Sequence, residues 1–317
     1  MFASVRAFLH QIIDYAGLFP PAKLPLDAAL AEYLHHKKTS PHRWMLGKFV
    51  CPAVRLPELL PLARAHEDAA LLQVTALGQQ STSVEDFVLQ LGTAIKAIQE
   101  FRLAWGGEEV VDAIEIPLPS QIEIDRAIDC LGHAQVQLRQ ANLRGFFELP
   151  TSAAWQGDIA TISKSLHELK ESESKLGLKL RCGGVTAAAF PSDTQVAFFI
   201  AQCRDFAIPW KATAGLHHPR RHWDAGLNHW HHGFLNVFGA GLLAMAHPLT
   251  PADLVAILSD RDGKHFRFEE ERFSWKDWSC TTAQIAAFRA SGPTSFGSCS
   301  FAEPCADLTA IGLLESL

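Results

Sequence analysis

Two lysines and two glutamates sit in short apolar stretches where a charge is costly unless something uses it. In LKLRCGG, period-two alternation puts Lys179 and Arg181 on one face and Leu178 and Leu180 on the other. In WKATAGLHH, Lys211 and Thr213 share a face opposite Ala212. DAIEIPLP sets Glu115 between Ile114 and Ile116, and GFFELP carries Glu148 beside Leu149. With the apolar faces packed under helices, two ammonium groups and two carboxylates converge on one interior. Such a set supports two chemistries. One is buried ion pairing, the usual state of an interior charge. The other is a nucleophilic lysine, its pKa depressed by desolvation and by the second ammonium, that attacks a carbonyl to form a Schiff base. A carboxylate then moves protons through the derived enamine.

These residues need strands to align them. Short β-branched or aromatic runs at 16–19, 47–51, 71–76, 113–118, 145–149, 178–182 and 209–213 alternate with stretches of helical period, the pattern of βαβ units. An eighth strand falls at either 265–268 or 234–238. Val84, Phe87, Leu91, Ile95 and Ile98 keep one helical face behind a Ser83 cap. Ser192 with Gln195 forms a capping box, and Thr250-Pro251 opens a further helix. A single α/β domain over 1–317, a (β/α)8 TIM barrel, is the economical expectation, with a doubly wound open sheet as the alternative. It would carry a histidine-rich insertion at about 216–233 and a C-terminal extension from about 291. In a barrel the chemistry sits at the carboxyl ends of the strands, where these charges fall.

Composition narrows the partners. The net charge is −6 and the mean hydropathy +0.06, so no strong positive field exists to gather nucleic acid. The longest apolar run, 234–246, contains Asn236 and falls short of the roughly 20 residues of a membrane span. Arg6 and His10 interrupt the apolar start and argue against a secretory signal. Seven scattered cysteines read as reduced thiols. The expectation is a cytoplasmic protein with a small-molecule substrate, no nucleic acid or membrane partner, and scope for homo-oligomers.

The lysine segments resemble the deoxyribose-phosphate aldolase family, class I enzymes built on a (β/α)8 barrel. Lys179-Leu180-Arg181-Cys182-Gly183 is similar to that family's sixth-strand signature, with Lys179 at the Schiff-base position. Trp210-Lys211-Ala212-Thr213-Ala214-Gly215 resembles its seventh-strand lysine segment. Asp112-Ala113-Ile114-Glu115-Ile116 is similar to its Asp-Glu-Ile-Asp-Met, which puts Glu115 where a catalytic aspartate belongs. Phe147-Glu148-Leu149, Val50-Cys51-Pro52 and Ile13-Asp14-Tyr15 match further short segments in the same order. The resemblance implies an aldolase-like lyase acting on a small aldehyde or keto compound, with no cofactor. Lys179, Lys211 and Glu115 would be catalytic; Asp14, Glu148, Arg181, Thr213, His217 and His218 would bind substrate. The family's Gly-Gly-Ile-Arg turn is replaced by Leu216-His217-His218-Pro219, and its Gly-Thr-Ser-Ser-Gly eighth strand has no evident counterpart. Arg181, Arg220 and Arg221 are then the candidates for holding an anion.

A second chemistry rests on His217, His218, His222, His229, His231 and His232, since imidazole suits several transition metals. It would make the chain a metal-dependent hydrolase or isomerase. Adjacent histidines point in different directions, however, and no metal ligand is assigned; a loop closing over the pocket mouth is the plainer expectation. A third outcome is a non-catalytic small-molecule-binding barrel. The stretch 295–301 is rich in Gly and Ser, and is expected to be a packed terminal loop. No Walker loop, dinucleotide fingerprint or serine-nucleophile elbow occurs.

Overall fold

The computed structural model describes residues 1–119, 123–149, 154–169 and 176–315. Along the chain run α1 (Ala3–Leu9), β1 (Ile13–Tyr15), α2 (Leu26–Thr39), β2 (Leu46–Pro52), α3 (Leu56–Ala65) and β3 (Val74–Leu77). Next come α4 (Val84–Trp105), β4 (Val111–Pro117), α5 (Ile124–Gln140), β5 (Arg144–Glu148), α6 (Trp155–Glu168) and β6 (Leu176–Arg181). They are followed by α7 (Asp193–Asp205), β7 (Trp210–Thr213), β8 (His222–Asp224), β9 (His229–His231), α8 (Phe234–Ala246) and α9 (Pro251–Ser259). The chain continues through β10 (Phe266–Phe268), β11 (Arg272–Trp275), β12 (Trp278–Thr281), α10 (Thr282–Ser291), β13 (Pro293–Ser298) and α11 (Ala302–Ala310). Eight strands close into a barrel in the order β1-β13-β7-β6-β5-β4-β3-β2, a (β/α)8 fold. The chain divides into two compact units, one of residues 14–179 and one of Met1–Ile13 with Leu180–Leu317.

In the unit of residues 14–179, parallel pairing places Glu115 opposite Phe146, and Phe146 opposite Gly177. Lys179 stands two residues past that level on β6. An eight-stranded barrel of this class shifts about one residue per strand, so side chains from alternate strands share a layer across a two-residue offset. Glu115 and Lys179 therefore belong to one layer. Helix α4 starts as its sequence dictates: the Ser83 side chain accepts from Asp86 N, and Gly106 ends the helix with a left-handed φ of 97°. Tyr15, Tyr33 and Phe49 fill the β1–β2 end with ring centroids 5.6 to 6.2 Å apart.

In the second unit, β13 runs parallel to β7, pairing Phe296 with Ala212 and Gly297 with Thr213. The Phe296 ring stacks on Phe234 at 5.1 Å and meets Phe238 at 5.9 Å, which seats α8 against the sheet. Asn236, which interrupts the apolar run of that helix, is fully buried and fully used. Its amide donates to Ile257 O and Asp260 O, and its Oδ1 accepts from Arg221 N. The capping boxes at Ser192 and Thr250 form as expected. Strands β10, β11 and β12 make an antiparallel sheet whose Phe268 and Phe273 pack on Phe8 of α1.

Three expectations change. The first strand is Ile13–Tyr15, whereas the segment from Ala16 to Phe19 is a turn closed by Phe19 N donating to Ala16 O. The eighth barrel strand is Pro293–Ser298: residues 234–238 open α8, and Phe266–Phe268 lies in the antiparallel sheet. The segment from about 291 is thus no terminal extension or loop, and the chain does possess a Gly/Ser-bearing eighth strand. Small residues hid it, since its burial depends on one aromatic anchor, Phe296, rather than on an apolar alternation.

Candidate active site

Lys179 is held by two carboxylates. Its Nζ lies 2.8 Å from Glu115 Oε2 and 3.0 Å from Glu148 Oε2, with the three side chains 6%, 6% and 12% exposed. Glu148 is the last residue of β5 and pairs in register with Lys179; Glu115 comes from β4 by the layer offset above. The backbone thus presents all three near the carboxyl ends of successive strands.

Electrostatics runs against one expectation. Burial penalises the Lys179 ammonium, but Glu115 and Glu148, by charge and by hydrogen bonding, outweigh it and raise the pKa above the ordinary lysine value. The resting lysine is an ammonium, not the partly neutral amine expected from desolvation. A nucleophilic role would therefore need the proton to pass to one of the two glutamates, each of which is within hydrogen-bond distance of it.

The other sequence candidates are placed as follows. Lys211 is buried on β7; Trp210 beside it packs outward on Phe199 and Phe238, so Lys211 projects to the opposite face. Thr213 ends that strand, and its carbonyl accepts from Cys182 N at 2.8 Å. Beyond it Gly215 adopts a φ of 68° and approaches Cys182 and Gly183 so closely that a Cβ would lie 2.8 Å from Cys182 O. Arg181, the last residue of β6, is exposed. Asp14 is buried and accepts a hydrogen bond from Lys48 N at 2.8 Å.

The histidine-rich segment folds into a hairpin, β8 against β9, pairing His222 with His231 and Trp223 with Trp230. His217 and His218 each find a carboxylate on α11, Glu303 at 3.1 Å and Asp307 at 2.5 Å. His231 stacks on Phe190 at 4.1 Å, and burial followed by the neighbouring His222 lowers its pKa to about 4. His232 is buried, its Nε2 donating to Pro191 O at 2.7 Å. Among the described residues, no three His, Cys, Asp or Glu side chains gather as a metal-binding group. The rings pack on one another instead: His222 meets His218 at 4.3 Å and its cross-strand partner His231 at 5.2 Å, while His229, two residues before His231 on the same face, lies 6.4 Å from it.

Two polar clusters escaped the sequence reading. At the amino-terminal ends of β2, β4 and β5, Lys48 and Arg144 both pair with Asp112. Arg144 and Glu148 lie on the same face of β5, roughly 13 Å apart along the strand at about 3.3 Å per residue. This lower layer is the end of a barrel strand that serves stability rather than chemistry. Below it, buried Arg102 donates to Val111 O, Ala141 O and Asn142 O. Arg102 follows Ile98 by four residues and Ile95 by seven on the apolar face of α4, and that spacing is the signal that its guanidinium turns inward.

No protein-family model and no curated protein matches the chain. Among solved structures, a tetrameric deoxyribose phosphate aldolase from Aeropyrum pernix is similar, with 11% identity and a TM-score of 0.45 over 68% of this chain and 80% of that one. The UMP synthase of Leishmania donovani is similar at 13% identity and a TM-score of 0.38, covering 67% of this chain and 43% of that longer one. No helix among the described residues is long and apolar enough to cross a membrane.

Proposed function

We propose that the protein is an aldolase-type lyase that makes or breaks a carbon–carbon bond of a small aldehyde or keto compound through a Schiff base on Lys179. The observation that carries this reading is the buried Lys179 amine bracketed by Glu115 at 2.8 Å and Glu148 at 3.0 Å, near the carboxyl ends of barrel strands. Substrate binding shifts the Lys179 proton to a glutamate, and the neutral amine then adds to the carbonyl carbon. The same carboxylic acid returns the proton to the carbinolamine oxygen, which leaves as water and yields the iminium. In cleavage the Glu115 carboxylate takes the proton of the substrate's β-hydroxyl as the carbon–carbon bonding pair moves into the iminium, releasing an aldehyde and leaving an enamine; Glu115 then gives that proton to the enamine carbon, and hydrolysis of the resulting iminium frees the lysine. Glu148, aligned with Lys179, orients the amine. Lys211 is assigned a supporting catalytic role, and Asp14, Arg181, Thr213, His217 and His218 are assigned to substrate binding. The chemistry needs no cofactor.

Hydrogen exchange at carbon tests this directly. In D2O the protein should wash deuterium into the α position of short ketones such as hydroxyacetone, because enamine formation and reversal exchange that hydrogen. Lys179→Ala should abolish the exchange and Glu115→Gln should slow it. Undiminished exchange in Lys179→Ala would remove the proposal. A permanent ionic brace, the competing reading favoured by the raised Lys179 pKa, gives no exchange in any form of the protein.

A further inference from the structure

In the unit that carries β7 and β13, a cavity of about 440 Å³ is lined by His218, Arg220, Arg221, His222, Arg261 and Asp307, with flanking apolar residues. All of these belong to the segment from the loop after β7 into the hairpin, to the turn after α9, or to α11. The charges are unbalanced. Arg221 is spoken for, paired with Asp193. Asp307 accepts from His218 Nδ1 at 2.5 Å. Arg220 and Arg261 have no carboxylate partner among the described residues, although both border the cavity.

Each free guanidinium is positioned by something other than a charge. Arg261 lies over the Trp230 ring at 4.7 Å. Arg220 lies against Gly263, where a side chain would collide with the guanidinium; its Cζ is 2.8 Å from where a Cβ would stand. His222 Nδ1 donates to Arg220 O at 3.2 Å, which leaves its Nε2 available. Two uncompensated guanidinium groups bordering one concave site repel each other unless an anion comes between them, and each offers a planar fork that matches an oxyanion.

We infer that this cavity is an oxyanion site for a small phosphorylated or carboxylated molecule, gripped by Arg220 and Arg261. The hairpin and the turn after α9 are joined across it through Trp230 and Arg261. An occupying anion would tie them together more firmly.

Calorimetric titration of the full chain at low ionic strength tests the site with two probes, inorganic phosphate and malonate. One site should appear, and the tighter probe identifies the phosphoryl or the carboxylate class. Arg220→Gln and Arg261→Gln should each weaken it at least about tenfold, the loss expected for a charge-assisted hydrogen bond. Gly263→Ala keeps every charge but displaces Arg220, and should also weaken binding while circular dichroism stays unchanged. Lys264→Gln, a nearby cation outside the cavity, should leave the affinity as it was. Lys179→Ala should bind both probes like the parent, so that failure of the lysine chemistry and failure of this site are told apart. The inference is overturned if neither probe binds, if the double variant Arg220→Gln/Arg261→Gln binds like the parent, or if Lys179→Ala abolishes binding.

Discussion

The Lys179 amine and the Glu115 carboxylate, from alternate strands of the barrel, meet at 2.8 Å with both side chains only 6% exposed. With Glu148 at 3.0 Å the cluster holds one cation and two anions in a desolvated layer. Removing the cation should therefore cost more than removing an anion. Lys179→Met should lower stability by about 3–5 kcal/mol in urea unfolding, because two buried carboxylates lose their partner. Adding Glu115→Gln and Glu148→Gln to that variant should recover part of the loss. A triple variant no more stable than Lys179→Met would contradict this balance.

The same pair sets a pH dependence. The folded lysine pKa is raised above its ordinary 10.5, so the cluster's stabilising effect is complete below that value and is lost as pH rises through the folded pKa. Imine formation, which needs the neutral amine, should accelerate on the alkaline side for the same reason. Glu148→Gln removes one of the charges that raise the pKa, and its rate profile against pH should bend at a lower pH than the parent's. Coincident profiles would mean that Glu148 exerts no hold on the lysine proton.

Acid should loosen the histidine hairpin. Burial lowers the pKa of His222, His231 and His232, that of His231 to about 4, and the buried His231 Nε2 has no hydrogen-bond partner among the described residues. The unfolded chain binds protons near pH 6.5 that the folded imidazoles refuse, so stability should fall as pH drops from 6.5 toward 4. His231→Gln should flatten the slope of Tm against pH over that interval. An unchanged slope would show that His231 titrates normally.

Arg102 gives a prediction confined to stability. Its guanidinium donates to three backbone carbonyls from a buried position, and Arg102→Met would take that donor from all three at a cost of about 3 kcal/mol or more. Borohydride labelling of Lys179, measured below the shifted unfolding midpoint, should not change.

The sequence made the barrel legible where strands are apolar and regularly spaced, as at Lys179 and Glu115, because a period of two assigns each side chain to a face. It failed where neighbours do the assigning. Pro293–Ser298 enters the barrel on the strength of Phe296 stacking against Phe234, a contact between distant segments that local pattern does not encode. The expectation that Lys179 would be partly neutral failed similarly: desolvation is visible in a run of apolar neighbours, but its reversal depends on Glu115 and Glu148 reaching the amine in three dimensions. The Lys48–Asp112–Arg144 layer was invisible because charged residues at strand ends look solvated until the chain is folded, whereas Arg102 continues the apolar stripe of α4 and was passed over for its charge.

Reductive trapping on Lys179 is the most direct measurement of the central claim. The protein is incubated with short aldehydes and ketones, reduced with borohydride, digested, and mapped by mass spectrometry. A carbon adduct on Lys179 that is absent from Lys179→Ala, and slowed by Glu115→Gln, is the expected result. Labelling confined to the exposed Lys38 and Lys96 or to half-buried Lys37, or undiminished in Lys179→Ala, would contradict it.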